Sequence, residues 1–156
     1  MATFYFRDRA APRPQRTRIG DVAVIMQDQR VLLERRADSG QWGLVGGGLE
    51  VTETLEECLI REVLEETGLV VIQASLLGVF SDPSRIASYP DGNVVRIVSA
   101  AYWVAVSGAM RPSVESLALE YHSVERIGTL PIVPTHVDIL ETVQVAVATE
   151  AGGRIP

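Results

Sequence analysis

The sequence predicts an α/β protein with a mixed central sheet and helices on both of its faces. Strand-like segments stand before and after an amphipathic helix, and a second helix closes the chain. Residues 94–106 are apolar almost throughout, which is typical of a central strand covered on both sides. The 156 residues, 47% of them hydrophobic, suit one domain with a substantial core. We therefore expect a single domain over residues 1–156, with an N-terminal arm at 1–17 and a frayed tail at 149–156.

The N-terminal third predicts an arm followed by three short strands. The arm is rich in Arg and Pro, so it is either a partly ordered terminus or a basic strand that reaches a phosphate or a partner subunit. Apolar runs at 21–26 and 30–34 predict a β-hairpin around a polar turn. A further short strand at 41–45 leads directly into three consecutive glycines, which favour a loop.

A helix is predicted from Leu55 to Thr67 by signals at both of its ends. Thr54 and Glu57 have the spacing of a capping box, in which each residue satisfies a backbone N–H of the other. Gly68 is a natural stop, because glycine adopts the left-handed conformation that ends many helices. The helix therefore begins directly after the glycine-rich loop and carries one apolar face.

The rest of the chain predicts alternating strands and loops before a closing helix. Two long loops are expected, and they separate the strands. The predicted strands cover residues 70–80, 94–106 and 120–126, the loops cover 81–93 and 107–116, and the helix covers 136–148.

Composition excludes several classes of function. The net charge of −6 argues against a nucleic-acid or anionic-membrane surface. All 14 basic residues are Arg, so mechanisms that need a P-loop or Schiff-base lysine are impossible. Cys58 is the only cysteine, which fits a reducing, cytoplasmic setting. Residues 4–6 are too short a run for a signal peptide, and the longest apolar run, 100–106, is far below a membrane span.

The helix concentrates negative charge on one face. Glu62, Glu65 and Glu66 stand at positions i, i+3 and i+4, so their carboxylates point the same way and repel each other. Carboxylate oxygens are the ligands that Mg²⁺ prefers, and the glycine loop adds open carbonyl groups. Such a cluster is also typical of a solvated helix surface. The cluster alone leaves both interpretations open.

The spacing of the residues around the glutamate cluster decides between a metal site and a solvated helix surface. From Gly47 the sequence reads G-x5-E-x7-R-E-U-x-E-E-x-G-U, where U is a bulky aliphatic residue. Chance would produce this pattern on the order of once per 10⁹ starting positions. The pattern is the Nudix box, and the chain resembles the Nudix hydrolase family over residues 18–148, most specifically over 42–69. It departs from the family at Val45, where many members have Pro, and at residues 51–52, which replace a common Pro-Gly.

The resemblance implies an α/β/α sandwich and a hydrolase that depends on Mg²⁺ or Mn²⁺. The implied reaction is attack of water on a pyrophosphate in a nucleoside diphosphate linked to another group. Substrates of this type include nucleoside triphosphates and nucleotide sugars such as ADP-ribose. The metal ligands implied by position are the carbonyl of Gly46 or Gly47 and the carboxylates of Glu62, Glu65 and Glu66.

The resemblance also implies that Arg61 orients the box by pairing with Glu53. It does not choose the general base, for which Glu53 and Glu66 are candidates inside the box. Outside the box we favour Glu120, which opens a predicted strand after a long loop, with Glu115 as the second choice.

Substrate contacts are predicted from residue type and position. Tyr89 lies in a loop and can stack on a base, and Arg35, Arg36, Arg85 and Arg96 can bind phosphate. The partner is therefore a small nucleotide, and neither nucleic acid nor a membrane is expected. The β-rich N-terminal arm favours a homodimer. The alternative from another class is a Nudix-fold binding or sensor module without turnover.

Overall fold

The computed structural model describes residues 1–150 as nine strands with one long helix on each face of a mixed sheet. The strands are β1 (Thr3–Tyr5), β2 (Arg16–Gln27), β3 (Arg30–Arg36), β4 (Trp42–Gly43), β5 (Val45–Gly48), β6 (Val70–Phe80), β7 (Ile86–Ser88), β8 (Val94–Ser107) and β9 (Ser116–Ser123). The helices are α1 (Leu55–Thr67) and α2 (Val137–Thr149), and Val124–Thr129 and Pro134–His136 form 3-10 turns.

The sheet runs in the order β1-β7-β8-β2-β3-β4, and β5, β6 and β9 pair with β2, β8 and β3. The pair β2–β8 is parallel and the other strand pairs are antiparallel, so the sheet is mixed as predicted. Strand β8 pairs with three neighbours, which confirms the central position expected from its apolar sequence. No helix within residues 1–150 is both long and apolar enough to cross a membrane.

Strand β2 divides the core because its side chains alternate between the two faces of the sheet. Val24 packs in a cluster with Ile139 of α2, and Ala23 packs in a second cluster with Leu59 of α1. The same alternation places Asp21 on the α1 side, where only 2% of its surface is exposed. A charged residue therefore lies beneath α1, at the point where the apolar core ends.

Helix α1 has the two ends that the sequence predicts. The Thr54 hydroxyl accepts from the Glu57 N–H at 3.1 Å, and the Thr54 N–H donates to the Glu57 carboxylate at 2.9 Å. Gly68 ends the helix with φ of 72°, in the left-handed region. The capping box fixes where the helix begins, and this in turn fixes which side chains face the glycine strand β5.

Some elements differ from the predictions. The N-terminal arm contains strand β1, which pairs with β7 inside a segment predicted as loop. Strand β1 stands at one end of the strand order, and the homodimer stays a prediction. Strand β9 begins four residues before the predicted 120–126, since its register is set by pairing with β3, and residues 124–129 form a 3-10 turn. Helix α2 continues to Thr149, and the rest of the predicted tail, beyond residue 150, lies outside the described residues.

Candidate active site

A cavity of about 430 Å³ lies where β2, β5 and α1 meet. Its floor is formed by the glycine strand at residues 46–48, and Glu62 and Glu66 enter it from α1. Its other side carries Phe4 of β1 and Tyr89 of the loop after β7. The cavity thus joins an acidic end, which is suited to cations, to an aromatic end, which is suited to a base.

The glycine strand approaches its neighbours more closely than any other residue type would permit. A β-carbon at position 46, 47 or 48 would collide, respectively, with the Asp21 backbone carbonyl, the Glu62 carboxylate or the Arg18 guanidinium. The Glu62 carboxylate therefore occupies the space where a side chain of residue 47 would stand. This explains why the glycine run and the carboxylate helix occur together in the sequence.

Arg61 holds the box carboxylates in place. It donates to both oxygens of Glu53, at 2.6 and 3.0 Å, and to Glu62 at 2.7 Å and Glu65 at 3.3 Å. The hydrogen bonds from Arg61 lower the pKa of Glu53 to about 2. A carboxylate with so low a pKa is a poor proton acceptor near neutral pH. The geometry therefore favours Glu53 as the partner that positions Arg61, rather than as the general base.

Glu66 has a different environment, without an ion-pair partner among the described residues. Its Oε2 accepts from the Gly46 N–H at 3.0 Å. Burial and the neighbouring Glu34 carboxylate raise the pKa of Glu66 to about 9. Glu34 is itself buried and accepts from the Ser116 hydroxyl. Carboxyl groups are therefore crowded at this end of the cavity, where their charged forms are unfavourable, and a bound cation would favour the charged forms.

The donor set fits a hard divalent cation. Glu62, Glu66 and the Gly47 carbonyl supply oxygen ligands, and Asp21 has two buried carboxylate oxygens without a hydrogen-bond partner. Within residues 1–150 no three His, Cys, Asp or Glu side chains are already arranged to hold an ion. Glu65, the third predicted carboxylate ligand, is 59% exposed, pairs with Arg61 and does not line the cavity. A cation would thus draw on the oxygens that Arg61 leaves available.

The structure does not bring Glu120 to the cavity. Glu120 lies in the middle of β9, 57% exposed, and its carboxylate is 3.5 Å from the His122 ring. The reason is the earlier start of β9, which moves residue 120 away from the loop end that the sequence predicted. Glu115, in the loop before β9, does line the cavity. Of the two candidates outside the box that the sequence offers, the geometry therefore favours Glu115.

Some of the predicted phosphate and base contacts line the cavity and others do not. Tyr89 and Arg36 line the cavity, although Arg36 is also paired with Asp38 at 2.9 Å. Arg35 and Arg96 donate to backbone carbonyls of loops and do not line the cavity. The structure thus brings two of these four side chains to the cavity.

Arg85, the fifth predicted contact, is a structural residue. It is fully buried and donates to both oxygens of Asp138 at 2.9 Å and to the Ser99 hydroxyl at 2.9 Å. These bonds join the turn before β7 to α2 and β8. A guanidinium held in this way is not available to a substrate.

Phe4 and Arg18 line the cavity although the sequence did not indicate them as substrate contacts. Phe4 pairs with Ala87 in the β1–β7 register, and Arg18 donates to the Tyr89 hydroxyl at 3.0 Å. The Arg36 guanidinium lies 5.5 Å from the Phe4 ring. A three-residue strand carries too little alternation to be recognised, and the aromatic run at residues 4–6 is its one signal in the sequence.

His136 connects α2 to the strand that leads into the site. Its Nδ1 accepts from the Leu44 N–H at 2.9 Å, so this nitrogen must be unprotonated. Burial, together with the positive Arg85 and Arg36, lowers the pKa of His136 to about 3. The imidazole is therefore neutral in the folded protein at neutral pH.

His136 contributes a loss of stability as the pH drops below about 6.5, opposite in sign to the contribution of the partly buried Glu66. The unfolded histidine takes up a proton near that pH, whereas the folded one resists until about pH 3, so protons favour the unfolded state throughout this window. The contribution is ~1 kcal/mol per pH unit. In urea unfolding between pH 8 and 5, the wild type should lose stability relative to His136→Asn as the pH falls, and an identical pH dependence in both proteins would contradict the assignment.

The fold and the site define a class of protein: a mixed-sheet α/β domain built around a glycine strand and a carboxylate-bearing helix. A model of the NUDIX domain matches residues 16–143, so the chain belongs to the Nudix hydrolase family. It is 36% identical to a MutT-like protein of Streptomyces ambofaciens over 73% of this chain and 77% of that protein. The structure resembles a MutT NUDIX hydrolase from Burkholderia pseudomallei with a TM-score of 0.69 and 30% identity, over 83% of this chain and 98% of that one.

A shorter similarity reaches a relative with a stated substrate. An ADP-ribose pyrophosphatase of Methanocaldococcus jannaschii is 44% identical over 78 residues, which are 48% of this chain but only 44% of that protein. The chain thus spans less than half of that relative's length in the match.

Proposed function

We propose that this protein hydrolyses the pyrophosphate bond of a small nucleotide, a nucleoside diphosphate linked to a further group, with Mg²⁺ or Mn²⁺ as cofactor. The observation that carries the proposal is the cavity in which Glu62 and Glu66 stand beside the glycine strand. The same cavity contains Arg18 and Arg36, which can pair with the phosphates of a substrate. The lone, buried Cys58 supports a cytoplasmic setting.

Each side chain then has a role in the reaction. Glu62, Glu66 and the Gly47 carbonyl would hold the cation, which when bound neutralises phosphate charge and makes water more acidic. Arg61 keeps Glu62 in place while Glu53 keeps Arg61 in place. Glu115 lines the cavity and takes the proton of the attacking water.

Two substrate classes are candidates for this site. A nucleoside triphosphate would be cut to a monophosphate and pyrophosphate, and a nucleotide sugar would be cut between its two phosphates. Relatives named for ADP-ribose pyrophosphatase and nucleoside triphosphatase activity represent both. The aromatic end of the cavity suits the base that both candidates share.

The test is a phosphate-release screen over nucleoside triphosphates and nucleotide sugars, with Mg²⁺ or Mn²⁺ and with EDTA. We expect metal-dependent turnover of at least one member. Tight nucleotide binding without turnover of any member would instead support the binding or sensor module.

The choice of general base is tested by two matched substitutions. Glu115→Gln should lower kcat by about 10²-fold or more, since a positioned base contributes this much. Glu120→Gln should leave kcat within about twofold, because that carboxylate is exposed on β9, outside the cavity. A larger loss of kcat in Glu120→Gln than in Glu115→Gln across a pH–rate series would assign the base to Glu120. Wild-type kcat in both variants would assign the base to a carboxylate of the Nudix box.

Phe4→Ala is expected to raise KM for the best substrate by about tenfold, with a smaller change in kcat. Loss of one aromatic stacking partner costs about 1–3 kcal/mol, and Phe4 lines the cavity. Phe6→Ala is the matched control, because Phe6 is close in sequence and packs on Arg7 instead. Equal KM values for wild type and Phe4→Ala would show that β1 does not contact the base.

A further inference from the structure

Asp21 is a buried carboxyl group outside the box. Its side chain is 2% exposed and lines the cavity, and neither of its oxygens has a nitrogen or oxygen hydrogen-bond partner within residues 1–150. The Cys58 thiol, a weak donor, interacts with this carboxyl group and also lies 3.5 and 3.9 Å from the carbonyls of Gly48 and Gly47. A buried polar group without a strong hydrogen-bond partner is unfavourable, so packing alone does not account for a carboxyl group at this position.

The sheet register places Asp21 beside Glu62. Asp21 is the cross-strand partner of Gly47 in the β2–β5 ladder, so their β-positions share one face and lie about 5 Å apart. Gly47 has no side chain, and the Glu62 carboxylate fills the space that its β-carbon would occupy. Two carboxylates from different elements, one on a strand and one on a helix, are thereby brought together next to the Gly47 carbonyl.

Asp21 also lies outside the ion pairs that Arg61 forms with the glutamates of the box. Arg61 reaches Glu53, Glu62 and Glu65, but no ion pair is formed by Asp21 in the described part of the chain. The oxygens of Asp21 are therefore available to bind a cation, whereas Glu62 must share its oxygens with Arg61. A hard divalent cation prefers just this set of carboxylate and carbonyl oxygens.

We propose that Asp21, which lies outside the Nudix box, supplies a further carboxylate to the divalent-cation site beside Glu62 and the Gly47 carbonyl. The inference rests on the proposed function for the existence of that site. It adds a ligand from strand β2 to those from the helix, so the cation ties the sheet to α1. It also explains a charged residue at the head of an otherwise apolar stretch of strand.

The test compares Asp21→Asn and Asp21→Ala with Asp28→Asn, an equivalent loss of charge at the exposed turn after β2. Mn²⁺ binding is measured by titration, with free Mn²⁺ followed by electron paramagnetic resonance. We expect both Asp21 variants to bind Mn²⁺ at least about tenfold more weakly and Asp28→Asn to bind as the wild type does. Unchanged Mn²⁺ affinity in either folded Asp21 variant would overturn the proposal.

Urea unfolding provides a second readout that does not depend on turnover. Without metal, Asp21→Asn should be at least as stable as the wild type, because it removes an unpaired buried charge. With saturating Mn²⁺ the wild type should gain more stability than the variant. A variant that is less stable without metal and gains the full stabilisation from Mn²⁺ would show a structural role instead.

Glu62→Gln separates this inference from the proposed function. If Glu62→Gln weakens Mn²⁺ binding but the Asp21 variants do not, the cation site stands and the role of Asp21 is refuted. If neither Glu62→Gln nor the Asp21 variants change Mn²⁺ binding, the proposed site itself is refuted, and the inference falls with it.

Discussion

Replacing Glu66 by Gln is expected to lower kcat by about 10²–10³-fold while the protein stays folded. Glutamine keeps the shape of the side chain and can still accept from the Gly46 N–H. It loses the charge that would hold a cation in the cavity. Burial and repulsion by Glu34 already make this carboxylate unfavourable without a cation, so the neutral variant should be no less stable.

Initial rates at saturating nucleotide and Mg²⁺ measure the effect, and urea unfolding confirms the fold. Glu56→Gln is the control, because the same change is made on the same helix at an exposed position outside the cavity. Turnover of Glu66→Gln within a few-fold of the wild type would remove Glu66 from the reaction.

Replacing Arg85 by Met should destabilise the protein by about 3–5 kcal/mol, since it leaves Asp138 as a buried charge without its partner. Arg85 is fully buried, and its bonds to Asp138 and Ser99 connect the turn before β7 to helix α2 and strand β8. Urea unfolding at constant pH measures the loss. The double variant Arg85→Met with Asp138→Leu should recover much of it, because no charge then remains unpaired.

Glu141→Gln supplies the comparison for an exposed pair. Its partner Arg7 is 4.0 Å away and both side chains are largely exposed. The expected change is therefore within about 0.5 kcal/mol. A loss in Arg85→Met no larger than in Glu141→Gln would show that the buried pair does not hold α2 to the sheet.

Local structure is predictable from sequence where a few adjacent residues determine the backbone conformation. The capping box and Gly68 fix the two ends of α1, and the apolar run of β8 indicates its central place. The box helix and its glycines are therefore recognisable from the amino-acid sequence. In these cases the physical cause lies within the segment itself.

The misplaced residues depend instead on contacts between distant parts of the chain. Strand β1 forms because it pairs with β7, and its three residues are too few to predict that partner from the sequence. Glu120 lies outside the cavity because pairing with β3 moves the start of β9. Arg85 resembles a phosphate-binding arginine in sequence, because its partner Asp138 is 53 residues away. In the sequence, Asp21 is only the first residue of a predicted strand. Its position beside Glu62 follows from the pairing of Asp21 with Gly47 in the sheet.

The glycine strand also has a consequence for how this protein tolerates mutation. A larger residue at any of three consecutive positions would displace a neighbour, and the neighbour differs at each position. A side chain at 46 would push apart two strands, one at 47 would evict the Glu62 carboxylate, and one at 48 would displace the Arg18 guanidinium that supports Tyr89. Substitutions at positions 46, 47 and 48 would thus impair folding, cation binding and nucleotide recognition, respectively.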